Sequence, residues 1–282
     1  MISESPIDNQ ESRIELSAPD HRVRSDAPFV VGLCLLGSIY VLLIAGMLLA
    51  NLSFTAPGNF LAALRSPEIR YAIRLSLLSC SITAVLSLWV AVPIGYLMSR
   101  FSFRGKALVD ALLDIPIVLP PLVIGLSLLI LFRTPVGQFI ERFIPMTYAV
   151  PGIILAQWMV GCAFAVRTMR TTFDQINPRQ EQVALTLGCS RSEAFWQIVL
   201  PQARRGLLAA GTLAWARALG EFGPILIFSG ATRLRTEVMP TSVFLELSVG
   251  NIEAAVAVSL LMVIAAVVVL LLVRVFGRPT AW

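Results

Sequence analysis

NPRQEQVALTLGCSRSEAFWQIVLPQARRG, residues 177–206, is polar and carries the punctuation of two short helices, yet it lies between segments apolar enough to cross a bilayer. Asn177 is a capping residue, Pro178 suits the first helical position, and Gln180 stands three residues on, where a capping box takes Glu or Gln. Gly188 is the residue type that most readily adopts the left-handed conformation ending a helix. A second box, Ser190-x-x-Glu193, follows at once, and Pro201 predicts the stop of the second helix. The wider polar stretch, Arg167 to Gly206, therefore reads as a folded helical hairpin and a docking surface. An ordinary interfacial loop is the alternative.

The flanks set the class. Of 282 residues, 57% are hydrophobic and 14% charged, with a mean hydropathy of +0.80. Soluble domains carry about 25% charged residues, so lipid is the solvent for much of this chain. Six segments are long enough to span about 30 Å of hydrocarbon: Phe29–Ala50, Leu75–Met98, Leu108–Phe132, Ala149–Val166, Leu207–Ser229 and Ala254–Val273. Backbone exposed to lipid has to satisfy its own hydrogen bonds, which predicts an all-α integral membrane protein.

Basic residues orient it. With the N-terminus inside, Arg100, Arg104, Lys106, Arg167, Arg170, Arg179, Arg191, Arg204, Arg205 and Arg274 join four in the two tails. Only Arg65, Arg70, Arg133, Arg142, Arg233 and Arg235 fall outside. Both termini and the hairpin are thus expected in the cytoplasm. The net charge of +5 reflects this topology and gives no reason to invoke nucleic acid. Residues 1–28 are polar, of mixed charge and without apolar periodicity, and read as a disordered tail. The apolar segment after them is too long for a secretory signal and is expected to remain as the first transmembrane helix, 29–50.

No catalytic, metal or cofactor site emerges. The single histidine, His21, lies in the tail. Cys34, Cys80, Cys162 and Cys189 have neither disulfide nor zinc spacing. The sole Gly-Lys pair, Gly105-Lys106, lacks the rest of a phosphate-binding loop, and no Gly-x-Ser-x-Gly or HExxH string occurs.

Polar residues inside the spans are the remaining functional candidates. RALGEFGP places Arg217 and Glu221 one helical turn apart, roughly 15 Å deep at 1.5 Å per residue. Gly220, Gly223 and Pro224 then interrupt the helix, as in spans that line a cavity or pack closely on protein. The pair either braces helices or lines a path with the kink as its gate. DIPIVLPPLVIG (114–125) predicts a kinked or unwound third span. Asp110 and Asp114 suit the positive N-terminal end of that helix, a proton or cation ligand being the alternative for Asp114. Phe60–Leu64 and Thr241–Val249 are expected as short interfacial helices, with Arg233 and Arg235 as solvated loop charges.

Gly188, nine residues, then Ile198-Val199-Leu200-Pro201 resembles the G-x9-I-x-L-P end of the "EAA" loop in permease subunits of bacterial ABC importers. Where that loop reads Glu-Ala-Ala, this chain has Gln182-Val183-Ala184, with Glu181 one place early. WARALGEFGPILIFSG (215–230) and Leu119–Pro121 resemble the molybdate/sulfate/tungstate branch. The resemblance covers about residues 70–275 and implies a type I importer fold. It also implies two ABC ATPase subunits, a second permease copy or paralogue, and a periplasmic substrate-binding protein. The coupling helix is then expected near Gln180–Leu187, with Glu181, Ala184, Leu185 and Gly188 on its contact face. Gln182, Ile198, Leu200 and Pro201 complete the coupling set. Molybdate is the first substrate implied, sulfate and tungstate the next. A secondary transporter using Arg217 and Glu221, and a membrane scaffold or enzyme, are the competing classes.

Overall fold

The computed structural model describes residues 27–54 and 57–276, and all regular structure among them is helical. The expected tail therefore lies outside the described residues, apart from its last two positions. The helices are α1 (Ala27–Phe54), α2 (Pro57–Arg65), α3 (Pro67–Arg100), α4 (Lys106–Val118), α5 (Pro121–Arg133), α6 (Pro135–Glu141) and α7 (Val150–Gln175). After them come α8 (Pro178–Thr186), α9 (Arg191–Ala194), a π-helical turn (Phe195–Val199), α10 (Leu200–Gln202), α11 (Arg204–Leu219), α12 (Gly223–Phe228), α13 (Met239–Ser248) and α14 (Ile252–Phe276). Contacts divide the chain near residue 49, so that α1 stands largely as a unit of its own.

Among the described residues six unbroken spans do not form. Four of their helices are individually long and apolar enough to cross a membrane: Phe29–Ser53, Pro67–Arg100, Val150–Gln175 and Ile252–Leu271. The expected third span is instead α4 and α5, bent by 113° and counting as a fifth crossing only if taken together. The cause is local. Leu119 and Pro120 each precede a proline, which excludes the helical region, and both are extended, with ψ of 140° and 134°. Two consecutive extended residues turn a kink into a change of direction. The expected fifth span is likewise divided, into the 16 residues of α11 and the 6 of α12, with Gly220–Phe222 between them.

The bundle centres on α3, α7 and α11, each packed on the other two. One apolar cluster joins Leu75, Ile124, Phe132, Ile153, Ile225 and Phe228. A second, at the hairpin end, gathers Ala91, Ala165, Met169, Phe173, Val199 and Ala203. A third holds Ile69, Cys80, Trp215, Met239 and Val258, linking α14 to the bundle. Within lipid, helices associate through close packing rather than exclusion of water, so small residues mark the contacts. A Cβ added at Gly95 on α3 would come within 2.9 Å of both the Met169 Cβ and the Arg170 backbone nitrogen on α7.

Gly95→Ala is accordingly expected to force α3 and α7 apart. The cost is about 1–3 kcal/mol, and it is read as a lower midpoint of thermal unfolding of the detergent-solubilised protein.

Candidate functional site

The hairpin is built from its caps. Asn177 accepts the Arg179 backbone N–H at 3.0 Å, and Pro178 follows as a first-turn residue of α8. The box expected with Gln180 does not form, because the short Asn177 side chain is already engaged with the nearer donor. At the other end the Gly188 N–H donates to the Leu185 carbonyl and the Cys189 N–H to the Ala184 carbonyl, both at 3.1 Å. These are the paired bonds of a Schellman cap, and Gly188 takes the left-handed φ of +93° that the cap requires. The second box is complete: Ser190 N–H donates to Glu193 at 2.7 Å and Glu193 N–H to the Ser190 hydroxyl at 3.2 Å. The Ser190 backbone N–H, then its hydroxyl, hold the Glu193 carboxyl below the ordinary glutamate range. That contribution is present at neutral pH and is lost as pH falls through the lowered value.

Pro201 does not end the second helix. The turn before it widens into the π-helix Phe195–Val199, and the chain stays helical through Gln202. Proline removes a donor and drives its ring toward the preceding turn. The widened turn accommodates both, with the Leu200 N–H reaching the Phe195 carbonyl.

Helical spacing sorts the expected contact residues onto two faces. Glu181 and Ala184 are buried against the chain's own helices, which removes them from the outward face expected of them. Leu185 is half-buried, while Gln182 and Gly188 are exposed. One turn apart on the outer face stand Val183, 57% exposed, and Leu187, 80% exposed. Ile198 and Leu200 are half-buried and Pro201 is exposed.

Glu181 is the brace. It accepts the Tyr96 hydroxyl, and its other oxygen lies 3.4 Å from Arg100 Nε. Arg100 Nη2 in turn donates to the Ile176 carbonyl at 2.9 Å. The Tyr96 ring meets Phe173 and Phe195 edge-on, at centroid distances of 5.7 and 4.8 Å. One residue of α8 is thereby tied to α3, and through an aromatic knot to α7 and the π-turn. Sequence spacing gave no sign of this, since Tyr96 lies 85 residues from Glu181.

The second candidate region lies in the bundle, where the two broken helices meet at their breaks. A Cβ on Gly125 of α5 would sit 2.8 Å from Pro224 Cα, and one on Gly223 would sit 3.1 Å from the Leu122 nitrogen. Arg217 Nη1 stands 2.9 Å from Glu221 Oε2, at ion-pair distance but off the direction of a hydrogen bond. Glu221 is 1% exposed, and the Arg217 guanidinium also lies over the Phe164 ring at 5.7 Å. Gly220 is exposed, whereas Gly223 and Pro224 are buried. Beside the break, Gln157 donates to the Ala218 carbonyl at 3.2 Å and accepts from Thr83 at 3.3 Å. Gln157, a polar residue inside the fourth expected span, is therefore a satisfied core amide.

Other charges are also paired. Asp110 meets Arg170 and Asp114 meets Arg167, so these aspartates bridge α4 to α7 instead of serving only the end of their own helix. They line a cavity of about 250 Å³. Arg233, expected as a solvated loop charge, pairs with Glu246 at 2.8 Å. Glu237, which sequence reading passed over, is fully buried; it accepts from Ser242 at 2.7 Å and has one oxygen without a partner. Among the described residues no group of three or more His, Cys, Asp or Glu side chains gathers as a metal site.

Residues 91–280 match the family described as binding-protein-dependent transport system inner membrane component. The sulfate transport system permease protein CysT of Salmonella typhimurium is 30% identical over 271 residues, covering 93% of this chain and 98% of that one. A probable molybdenum ABC transporter permease of Haloferax volcanii is 34% identical over 244 residues, covering 84% and 89%. In fold, the chain is similar to a chain of the bacterial alginate ABC transporter solved with its alginate-bound periplasmic protein. There the TM-score is 0.72 at 15% identity, covering 90% of this chain and 95% of that one.

Two outcomes are expected from the buried pairs. Glu181→Ala strands Arg100 and costs about 3–5 kcal/mol. Hydrogen exchange across 178–187 should then accelerate while α7 amides keep their protection. Arg217→Ala strands Glu221 at a similar cost, and the double variant Arg217→Met/Glu221→Gln regains most of the lost thermal midpoint.

Proposed function

The chain belongs to the family of binding-protein-dependent transport system inner membrane components, and we propose that it carries a tetrahedral oxyanion, molybdate first, across the inner membrane. It is an ABC importer permease of the group that holds the sulfate and molybdate/tungstate permeases. Transport in this reading is driven from outside the chain, whose sequence has no phosphate-binding loop. Two ATPase subunits dock on the hairpins of two permeases, and a periplasmic protein delivers the substrate.

The observation that carries the coupling assignment is the outer face of α8. Val183 and Leu187 expose apolar surface on a short helix capped at both ends, within a polar hairpin. Leaving such side chains in water forgoes roughly 1.5–3 kcal/mol each, which a groove on an ATPase would recover. Gln182 and Gly188 flank them, and Gly188, having no side chain, allows close backbone approach. Glu181 and Ala184 serve from within, holding α8 to α3. Ile198, Leu200 and Pro201 shape the π-turn that supports the second arm.

The gate in this reading is the α11–α12 break. Gly220, Gly223 and Pro224 supply its hinge, and the Arg217–Glu221 pair holds the segment on either side of it. Both termini are cytoplasmic, as the distribution of basic residues supports. Sulfate is the second reading, favoured by the relative that aligns over 98% of its own length.

Leu187→Asp should leave expression and thermal unfolding unchanged while abolishing co-purification of the ATPase and uptake in vesicles. Normal ATP-driven uptake by this variant would refute the docking face. Competition of labelled molybdate uptake by tungstate and by sulfate separates the substrates; preferential displacement by sulfate would overturn molybdate.

A further inference from the structure

The chain leaves the hairpin through a groove of about 580 Å³ lined by Gln197, Ile198, Pro201, Gln202, Arg204 and Arg205. The side chains of Arg204 and Arg205 are exposed and, unlike those of Arg100, Arg167, Arg170, Arg217 and Arg233, make neither an ion pair nor a hydrogen bond among the described residues. No acidic residue occurs between Glu193 and Glu221, so no carboxylate nearby in the sequence can neutralise them. Their helix is α11, whose next turns expose Leu208 and Leu213 at 41% each, the apolar surface of a membrane-embedded segment. Trp196, the neighbour in sequence of the lining residue Gln197, is 63% exposed. An indole is the side chain that favours the boundary between headgroups and acyl chains.

We infer that this groove binds the phosphate headgroup of an anionic phospholipid, phosphatidylglycerol in kind. Arg204 and Arg205 take the phosphate, Gln197 and Gln202 offer amides to the glycerol, Trp196 lies at headgroup depth, and Leu208 and Leu213 meet the acyl chains. Charge complementarity and the immediate start of an apolar helix select lipid over a second polypeptide. Arginine suits the role, because its planar fork binds phosphate oxygens in pairs. A lipid held there would fix the exit of the hairpin at the level of the membrane surface. Motion of α8 and α9 would then pass into α11 instead of tilting the whole loop. The inference requires only that the hairpin lies at a membrane face, and does not depend on which cargo crosses.

Native mass spectrometry of the purified intact transporter, loaded with equal phosphatidylglycerol and phosphatidylcholine, tests it. The wild type is expected to retain phosphatidylglycerol selectively. Arg204→Gln/Arg205→Gln should weaken retention by roughly thirtyfold, the effect of two basic residues at a charged membrane surface. Arg204→Lys/Arg205→Lys should keep most of it. ATPase co-purification is recorded on the same samples, so failure of the coupling assignment is read separately. Equal retention of the two lipids by the wild type, or of phosphatidylglycerol by wild type and Gln variant, overturns the inference. Displacement of the lipid by excess inorganic phosphate would show an ion site only. Loss of the ATPase with lipid retention unchanged would assign the arginines to a protein interface.

Discussion

Everything on the hairpin side of the molecule depends on one buried carboxylate. Glu181 is held between the Tyr96 hydroxyl and Arg100, at the end of the longest helix in the bundle. Without that tie, α8 would be nine residues joined to the bundle by short connectors, well below the length at which a helix is stable alone in water. Burial strengthens the tie and also makes it unforgiving, since each partner is largely withdrawn from solvent. The same carboxylate defines the rest of the helix surface. With Glu181 and Ala184 turned inward, 3.6-residue periodicity leaves Val183 and Leu187 facing out. Attachment and the proposed docking surface are thus opposite faces of a single short helix.

A lever transmits motion only if its joints are defined. α8 is closed at one end by Asn177 and at the other by the Schellman cap at Gly188, and the box at Ser190 begins the second arm with no slack between them. The π-turn then carries the chain past Pro201 and into the bundle core through Val199 and Ala203. In the bundle, by contrast, the two broken helices abut at Gly125–Pro224 and Gly223–Leu122. A capped hairpin and paired helix breaks in the bundle are the mechanical arrangement that the proposed coupling to a separate motor requires.

Legibility in the sequence followed the range of the interaction. The caps at Asn177, Gly188 and Ser190 were readable because their partners lie within a few residues. The breaks at Leu119–Pro121 and Gly220–Pro224 were readable as breaks, since proline and glycine act on their own backbone. How sharply each turned was not, because two extended residues in succession add their effects. Tyr96 with Glu181 and Asp114 with Arg167 were invisible, being 85 and 53 residues apart, with nothing in either segment to name the other. The inward turn of Glu181 was lost for the same reason. Family resemblance points to the motif as a whole but carries no information on which side of a helix faces home.

The placement of satisfied and unsatisfied groups separates three environments around the chain. Several charges of the bundle helices are matched in pairs: Arg167 and Arg170 by aspartates of α4, Arg217 by Glu221. On the hairpin the mismatch is apolar, with Val183 and Leu187 standing in a polar loop, which fits a protein surface that withdraws them from water. At the exit from the hairpin the mismatch is ionic, with the exposed side chains of Arg204 and Arg205 unpaired among the described residues. A permease has to meet a motor, a bilayer surface and a bilayer interior within a few turns of helix. The kind of group left unpaired would distinguish the first two: apolar side chains where the motor is proposed to dock, and cations where lipid phosphate is proposed to bind.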